Sequence, residues 1–273
     1  MKTNFCYHTH TPRCGHAYGT DEGYVTEAIA NGIVRLGFSD HCMFPGMDEP
    51  YMRGNSSLIG DYLESIGSLK KKYHGKIDIY VGFEAENMGK GRIAWLREML
   101  STKLDYLILG QHGRSGGTRT DFYGSHADKK WADEQYLHDL LEGMETGLFA
   151  YVAHPDLFLE WNDSLLPRHI EMAKAIASKA KELDMPLEMN CGYLRRYREW
   201  KDVTSTAWMH YPYPTFWKVI KESGAKVTLG VDAHAPSDFS HYSFEAVYGL
   251  ANDLGIEIVE PRIDLPKRRL LDK

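Results

Sequence analysis

A closed α/β barrel of seven or eight strand–helix units is the fold this sequence predicts, on one domain spanning residues 1–273. Three observations predict it. Short, nearly continuous apolar runs recur along the chain, as strands buried on both faces of a parallel sheet require. Segments with helical spacing fall between them. Residues of metal-ligand type stand at, or just after, the ends of the runs: His8, His10, His16, His41, Glu84, His112, His154, Asp232 and His234. In barrels, function sits on the loops that follow the strands.

The runs are residues 4–7, 33–38, 77–82, 106–109, 150–153, 187–189, 227–231 and 256–259. The first leads into His8-Thr9-His10, where a period of two puts both imidazoles on one face. His16 follows a turn at Gly15, and a helix over 21–31 ends at Asn31-Gly32. Ser39-Asp40-His41 closes the second run, Gly82-Phe83-Glu84 the third, and Gly110-Gln111-His112 the fourth. Residues 113–129, rich in Gly, Ser, Thr and Asp, read as a long loop lying over the site. A helix over 133–147 precedes the fifth run, which ends in Ala153-His154-Pro155. The clearest helix spans 168–184, with Ile170, Ala173, Ile176, Ala177, Ala180 and Leu183 on one stripe behind Pro167. Another follows over 214–224, before the run that ends in Val231-Asp232-Ala233-His234. No internal repeat or linker marks a second domain.

The 273 residues are 43% hydrophobic and 26% charged, with a mean hydropathy of −0.43, which fits a soluble globular protein. No run approaches the ~18 apolar residues of a membrane span. The N-terminal residues do not resemble a signal peptide, so the expected location is the cytoplasm and no membrane partner is expected. A net charge of −6 argues against a nucleic-acid partner, which needs a basic surface. It leaves room for a small phosphorylated substrate. Lys267, Arg268 and Arg269 read as a solvated tail. Cys6, Cys14, Cys42 and Cys191 lack C-x-x-C spacing and read as small buried residues beside the site.

Seven of the 13 histidines thus stand at strand ends, where a barrel would gather them at one rim. Imidazole and carboxylate suit divalent zinc, manganese, iron or cobalt, so the pattern reads as a metallohydrolase. Asp40 either orients a neighbouring imidazole or caps the following turn.

These residues carry a resemblance. H-T-H at His8–His10, S-D-H at Ser39–His41, G-F-E at Gly82–Glu84, Q-H at Gln111–His112, A-H-P-D-L at Ala153–Leu157 and D-A-H at Asp232–His234 occur in the order of the polymerase-and-histidinol-phosphatase (PHP) family. The chain resembles its monofunctional histidinol-phosphatase branch over essentially its full length. The resemblance implies a distorted (β/α)7 TIM-like barrel, with the last run peripheral, and three divalent metal ions per chain. His8, His10, Glu84 and Asp232 would hold one, Glu84, His112 and His154 the second, and His16, His41 and His234 the third. It also implies a metal-dependent phosphomonoesterase in which a metal-bridging hydroxide attacks phosphate. Glu84 and Asp232 act there as ligands, and Asp232 can also accept a proton from the attacking water. L-Histidinol phosphate is the implied substrate.

Arg195 is in register with a phosphate-binding arginine of that branch, with Arg196 and Arg198 adjacent. His210, in His210-Tyr211-Pro212, and Arg114, on the loop after His112, are further candidates for substrate contact, and Arg119 is another. Two positions depart from relatives that carry arginine: Glu160 after the fifth-run motif, and Gly192 two residues after Asn190. The departures leave open another small phosphate ester as substrate: a nucleotide, sugar phosphate or cyclic phosphate. A non-catalytic metal-binding module is the reading from outside the enzymes, and oligomeric state is open.

Overall fold

The computed structural model describes residues 3–192, 213–239 and 241–272. Parallel pairing organises it. β1 (Phe5–Cys6), β2 (Arg35–His41), β3 (Asp78–Ala85) and β4 (Tyr106–Leu109) lie side by side in that order. Phe5 stands opposite Arg35, His41 opposite Glu84, and Glu84 opposite Ile108. β5 (Gly113–Ser115) and β6 (Thr120–Phe122) form a separate antiparallel hairpin. β7 (Leu187–Asn190) pairs in parallel with β8 (Val227–Gly230). Val152 bridges Leu109 on one side and Leu187 on the other, and Thr9 bridges Ala233. The result is a mixed α/β fold on a curled parallel sheet.

The sheet's two faces do different things because side chains alternate along each strand. Leu36, Phe38, Ile79, Phe83, Leu107 and Leu109 join the large core with the helices. Phe5, Tyr7, Tyr106, Ile108, Tyr151 and Ala153 form a second, smaller cluster. Tyr106 seals that cluster by donating from its hydroxyl to Tyr7 O at 2.8 Å. Toward the C-terminal ends of the strands this second face turns polar, at His41, Glu84, Glu188 and Asn190. The polar end is the site.

The helices start and stop where capping chemistry dictates. α1 (Asp21–Ala30) begins with Thr20 accepting from Gly23 N and places Asp21 and Glu22 against the positive end of the helix dipole. α2 (Ile59–Lys72) packs on β3, where Tyr62 stacks on Phe83 at 5.4 Å. α3 (Lys90–Thr102) follows β3, and α4 (Lys129–Glu145) is capped by Asp128 accepting from Trp131 N. α5 (Pro167–Glu182) buries His169, Met172, Ala173, Ile176, Ala177 and Ala180 on one stripe. α6 (Pro214–Ser223) starts on a proline and stops at Gly224, φ 73°. α7 (His241–Leu254) and α8 (Leu265–Leu271) complete the described chain. No described helix is long and apolar enough to cross a membrane.

Four expectations change. The helix expected from 133 starts at Lys129, because Asp128 supplies the cap. The loop expected over 113–129 contains the β5–β6 hairpin and a short turn of 3-10 helix. The strand expected over 150–153 shrinks to Val152, which alone bridges its neighbours, Leu109 on one side and Leu187 on the other. The tail expected at Lys267–Arg269 is helical: Lys267 Nζ donates to Leu104 O at 2.6 Å and Arg268 pairs with Asp264. The run at 256–259 is peripheral, joined through Ile258 to Val227. All four cysteines are buried.

Candidate metal centre

Nine sequence-predicted residues converge where the parallel strands end. His41 and Glu84 are in the last turns of β2 and β3; His112, His154, Asp232 and His234 follow β4, Val152 and β8. His8 and His10 flank the Thr9–Ala233 bridge, tied by His10 N donating to Ala233 O and Ala233 N to His8 O. His16 comes from the turn after Pro12–Cys14. The deep members are enclosed, whereas the side chains of His112 and His234 keep 17% and 23% exposure. The cluster therefore opens outward on the His112 and His234 side.

Glu84 is the hub. Its Oε2 lies 3.6 Å from both His8 Nε2 and His10 Nε2 and 3.0 Å from His41 Nδ1. Its Oε1 lies 2.8 Å from His154 Nε2 and 3.6 Å from His112 Nε2. Asp232 Oδ1 is 3.5 Å from His8 Nε2 and 3.1 Å from His10 Nε2. Metal–ligand bonds of about 2.0–2.1 Å in a tetrahedral site put neighbouring donor atoms roughly 3.3–3.4 Å apart. The separations of His8 and His10 Nε2 from the Glu84 and Asp232 oxygens, 3.1–3.6 Å, lie near that spacing. His8 Nε2, His10 Nε2 and Glu84 Oε2 are buried and lack a well-formed hydrogen bond, which costs free energy that a cation would offset. Further groups with donor atoms close enough to hold an ion are His41, Glu84 and His112; His10, His41 and His234; and Cys14, His16 and His234. His16 and His234 face each other Nε2 to Nε2 at 3.0 Å.

Charge is balanced inside the cluster. Burial disfavours the His8 imidazolium, yet the carboxylates of Glu188, Asp232 and Glu84 hold its pKa well above the usual value. His10 is raised to about 9 against the same burial penalty, by Asp232 and Asp40. Burial and the neighbouring His10 push His41 well down and take His234 to about 3. Glu84 and Asp232 stay ionised despite burial because imidazoles surround them. A divalent cation bound at Nε2 of His8 and His10 would compete with protons for those nitrogens, while Nδ1 of each faces Glu188 or Asp40.

Buried carboxylates support three of the imidazoles from behind, and composition did not flag two of them. Glu188 receives His8 Nδ1 at 3.0 and 2.9 Å, and Asn190 Nδ2 steadies it. Glu86 receives His112 Nδ1 at 3.2 Å. Asp40 lies 3.5 Å from His10 Nδ1 and also accepts from His41 N and Thr11 Oγ1. It therefore both faces an imidazole and ties down the strand end. An acid inside the apolar strand 187–189, and a second acid two residues after Glu84, were the signals available. Asp156 was also missed; it accepts from Tyr213 N at 2.8 Å and Trp217 Nε1 at 3.0 Å.

Backbone strain and bare glycines complete the site. His154 and Asp232 have φ of 30° and 54°, a region costing non-glycine residues about 1–3 kcal/mol each. A Cβ at Gly110 would fall 1.9 Å from Glu84 Oε1, and one at Gly230 would fall 2.0 Å from Glu188 Oε2. Gly110→Ala is expected to push Glu84 aside and weaken metal binding about 10- to 100-fold, as loss of ligand support does. The overpacking should cost roughly 1–3 kcal/mol. Zinc competition titration and thermal unfolding measure the two effects, and wild-type values for both would show that Glu84 has room to spare.

Arg114 does not turn to the cluster: its guanidinium lies over Trp131 at 5.9 Å and donates to Gln135 Oε1 at 3.1 Å, both on α4. Arg195, Arg196, Arg198 and His210 lie outside the described residues. The described chain on either side of residues 193–212 stands at the strand C-terminal ends, with Cys191 N on Gly230 O and Tyr213 N on Asp156.

A curled parallel sheet with a histidine–carboxylate cluster at its C-terminal end defines the class of protein: an α/β fold built around a candidate metal centre. The chain belongs to the PHP family, whose PHP domain model matches residues 7–192. It is 26% identical over 245 residues to a Deinococcus radiodurans protein named "Probable histidinol-phosphatase", covering 88% of this chain and 90% of the relative. It is 25% identical over 272 residues to the histidinol-phosphatase of Bacillus subtilis, covering 88% and 96%. The crystal structure of histidinol phosphate phosphatase from Lactococcus lactis, complexed with zinc, L-histidinol and phosphate, has a TM-score of 0.72 at 21% identity. It covers 96% of this chain and 97% of that one, a likeness of fold.

Proposed function

We propose that this chain is a metal-dependent phosphomonoesterase that hydrolyses L-histidinol phosphate to L-histidinol and phosphate. The observation that carries the reading is the four-donor set of His8, His10, Glu84 and Asp232, buried and spaced for a tetrahedral ion. The names of the relatives supply the substrate. The whole chain, 1–273, acts as one unit on a seven-stave (β/α)7 barrel; the bridges at Val152 and between Thr9 and Ala233 support closure. The chain is a cytoplasmic enzyme in this reading.

Three ions of the zinc, manganese, iron or cobalt group would be held in this reading: one by His8, His10, Glu84 and Asp232, a second by Glu84, His112 and His154, and the third by His16, His41 and His234. Bound there, they supply an activated water and positive charge for the phosphate oxygens. Glu84 joins two positions, since its two oxygens face different imidazole sets. Asp232, beside the more open His234, accepts the proton of the attacking water. His16, His112 and His234 line the side from which substrate enters. Arg195 and His210 bind phosphate and leaving group from the segment between Cys191 and Tyr213; Arg114 serves only after leaving Trp131.

Arg195→Ala is expected to lower kcat/KM about 10- to 200-fold with metal content unchanged, because charge-assisted bonds to phosphate are worth roughly 1.5–3 kcal/mol. If Arg196→Ala or Arg198→Ala shows the loss while Arg195→Ala is silent, the register assigned to this segment is wrong. The function itself is tested by steady-state turnover of L-histidinol phosphate against nucleotides, sugar phosphates and cyclic phosphodiesters. Glu160 and Gly192, where relatives carry arginine, favour another phosphate ester as the second reading. Faster turnover of such an ester would establish that alternative, and no turnover of any ester by metal-loaded protein would leave a binding module.

A further inference from the structure

Arg53 is 1% exposed, although it stands in a polar loop with no apolar period to draw it inward. A guanidinium taken out of water costs several kcal/mol unless every donor is matched. Here each one is. Nε donates to Glu49 Oε2 at 2.8 Å; Nη1 donates to Cys42 O at 2.9 Å and Glu86 Oε2 at 3.2 Å; Nη2 donates to Glu86 Oε1 at 2.8 Å and Thr120 Oγ1 at 3.0 Å. Glu86 is also 1% exposed, and the oxygen that receives Nη2 faces His112 Nδ1 at 3.2 Å. A carboxylate can only accept, so this contact keeps the proton on Nδ1 and turns the lone pair of Nε2 toward Glu84 Oε1, 3.6 Å away.

We propose that Arg53 and Glu86 are positioning residues that set the tautomer and orientation of His112 for metal binding. The planar guanidinium grips both oxygens of Glu86, and the gripped carboxylate fixes the imidazole. An ammonium could not hold both oxygens in plane while reaching three other acceptors. The same side chain ties the hairpin to the site. Glu49 accepts from Arg53 Nε, from Thr120 N at 2.6 Å and from Thr120 Oγ1 at 2.8 Å, and Asp48 N donates to Thr118 O at 3.0 Å. His112 leads directly into β5, so one buried charge fixes both the ligand and the strand pair that follows it. The inference rests on His112 being a metal ligand.

The test is zinc binding by the full-length chain, stripped with chelator and reloaded, with stoichiometry from elemental analysis and affinities from competition with a chromophoric chelator. Glu86→Gln keeps shape and an acceptor oxygen but releases the arginine grip. It should weaken one bound ion about 10- to 100-fold and leave the others at their wild-type constants. Arg53→Met should do the same, and Arg53→Lys should recover part of the loss. A structural defect alone would lower all sites together. If Arg53→Met does not fold, Glu86→Gln decides. Glu86→Gln with native circular dichroism and wild-type affinity at every site overturns the inference alone. A wild-type chain that takes up no metal overturns the metal reading and the inference with it.

Discussion

Glu84→Gln is expected to reduce kcat by about 10³-fold while the protein remains folded, the largest loss of any single conservative change. The carboxylate is 1% exposed and both oxygens are in use, Oε2 toward His8, His10 and His41 and Oε1 toward His112 and His154. An amide has one acceptor oxygen and no charge, so it cannot serve two cations. A loss on the order of 4 kcal/mol of transition-state stabilisation corresponds to that factor. Isosteric replacement leaves the packing of β3 against β2 and β4 in place, so circular dichroism should be native. Near-normal kcat in Glu84→Gln would show that this carboxylate does not join two ions.

Removing the metals is expected to abolish phosphatase activity and lower the melting temperature by roughly 10 °C. The purified protein should carry more than one divalent ion per chain. Ions at about a thousandfold excess over Kd stabilise a fold by roughly 4 kcal/mol, and each kcal/mol shifts Tm by about 2–4 °C in a chain of this size. The shift has a local cause. Without cations, His8, His10 and Glu84 keep buried atoms lacking good hydrogen bonds, and His154 and Asp232 hold strained backbone with less to over-determine it. Elemental analysis and differential scanning calorimetry, before and after chelation, measure both effects. Full activity in excess chelator, on protein without bound metal, would sink the metal-dependent mechanism.

The legible parts of the chain were those whose physics is local. Tyr106–Leu109 was readable to the residue because a four-residue apolar run is too short for a buried helix and fits a strand buried on both faces. α5 was readable because its apolar stripe repeats at helical spacing behind a proline. The nine candidate ligands were readable because each follows such a run. The hairpin within 113–129 was not, since its strands are short and polar and their pairing depends on Glu49 and Asp48, far away in sequence. The Val152 segment was read as a full strand because an apolar run does not show how many of its residues find ladder partners.

By itself the sequence determined the parallel α/β class, the placement of His8, His10, His41, Glu84, His112, His154, Asp232 and His234 at or just after strand ends, with His16 on a nearby turn, and the family. Apolar period and motif order are properties of the chain alone. Only the tertiary structure decided what stands behind those candidate ligands. Glu86 and Arg53 look like ordinary surface residues in composition, and neither Glu188 in its apolar run nor Asp156 in its motif reveals its partner there. They become buried partners because strands distant in sequence bring a matching donor or acceptor to each, and a charge survives burial only where such a partner is waiting.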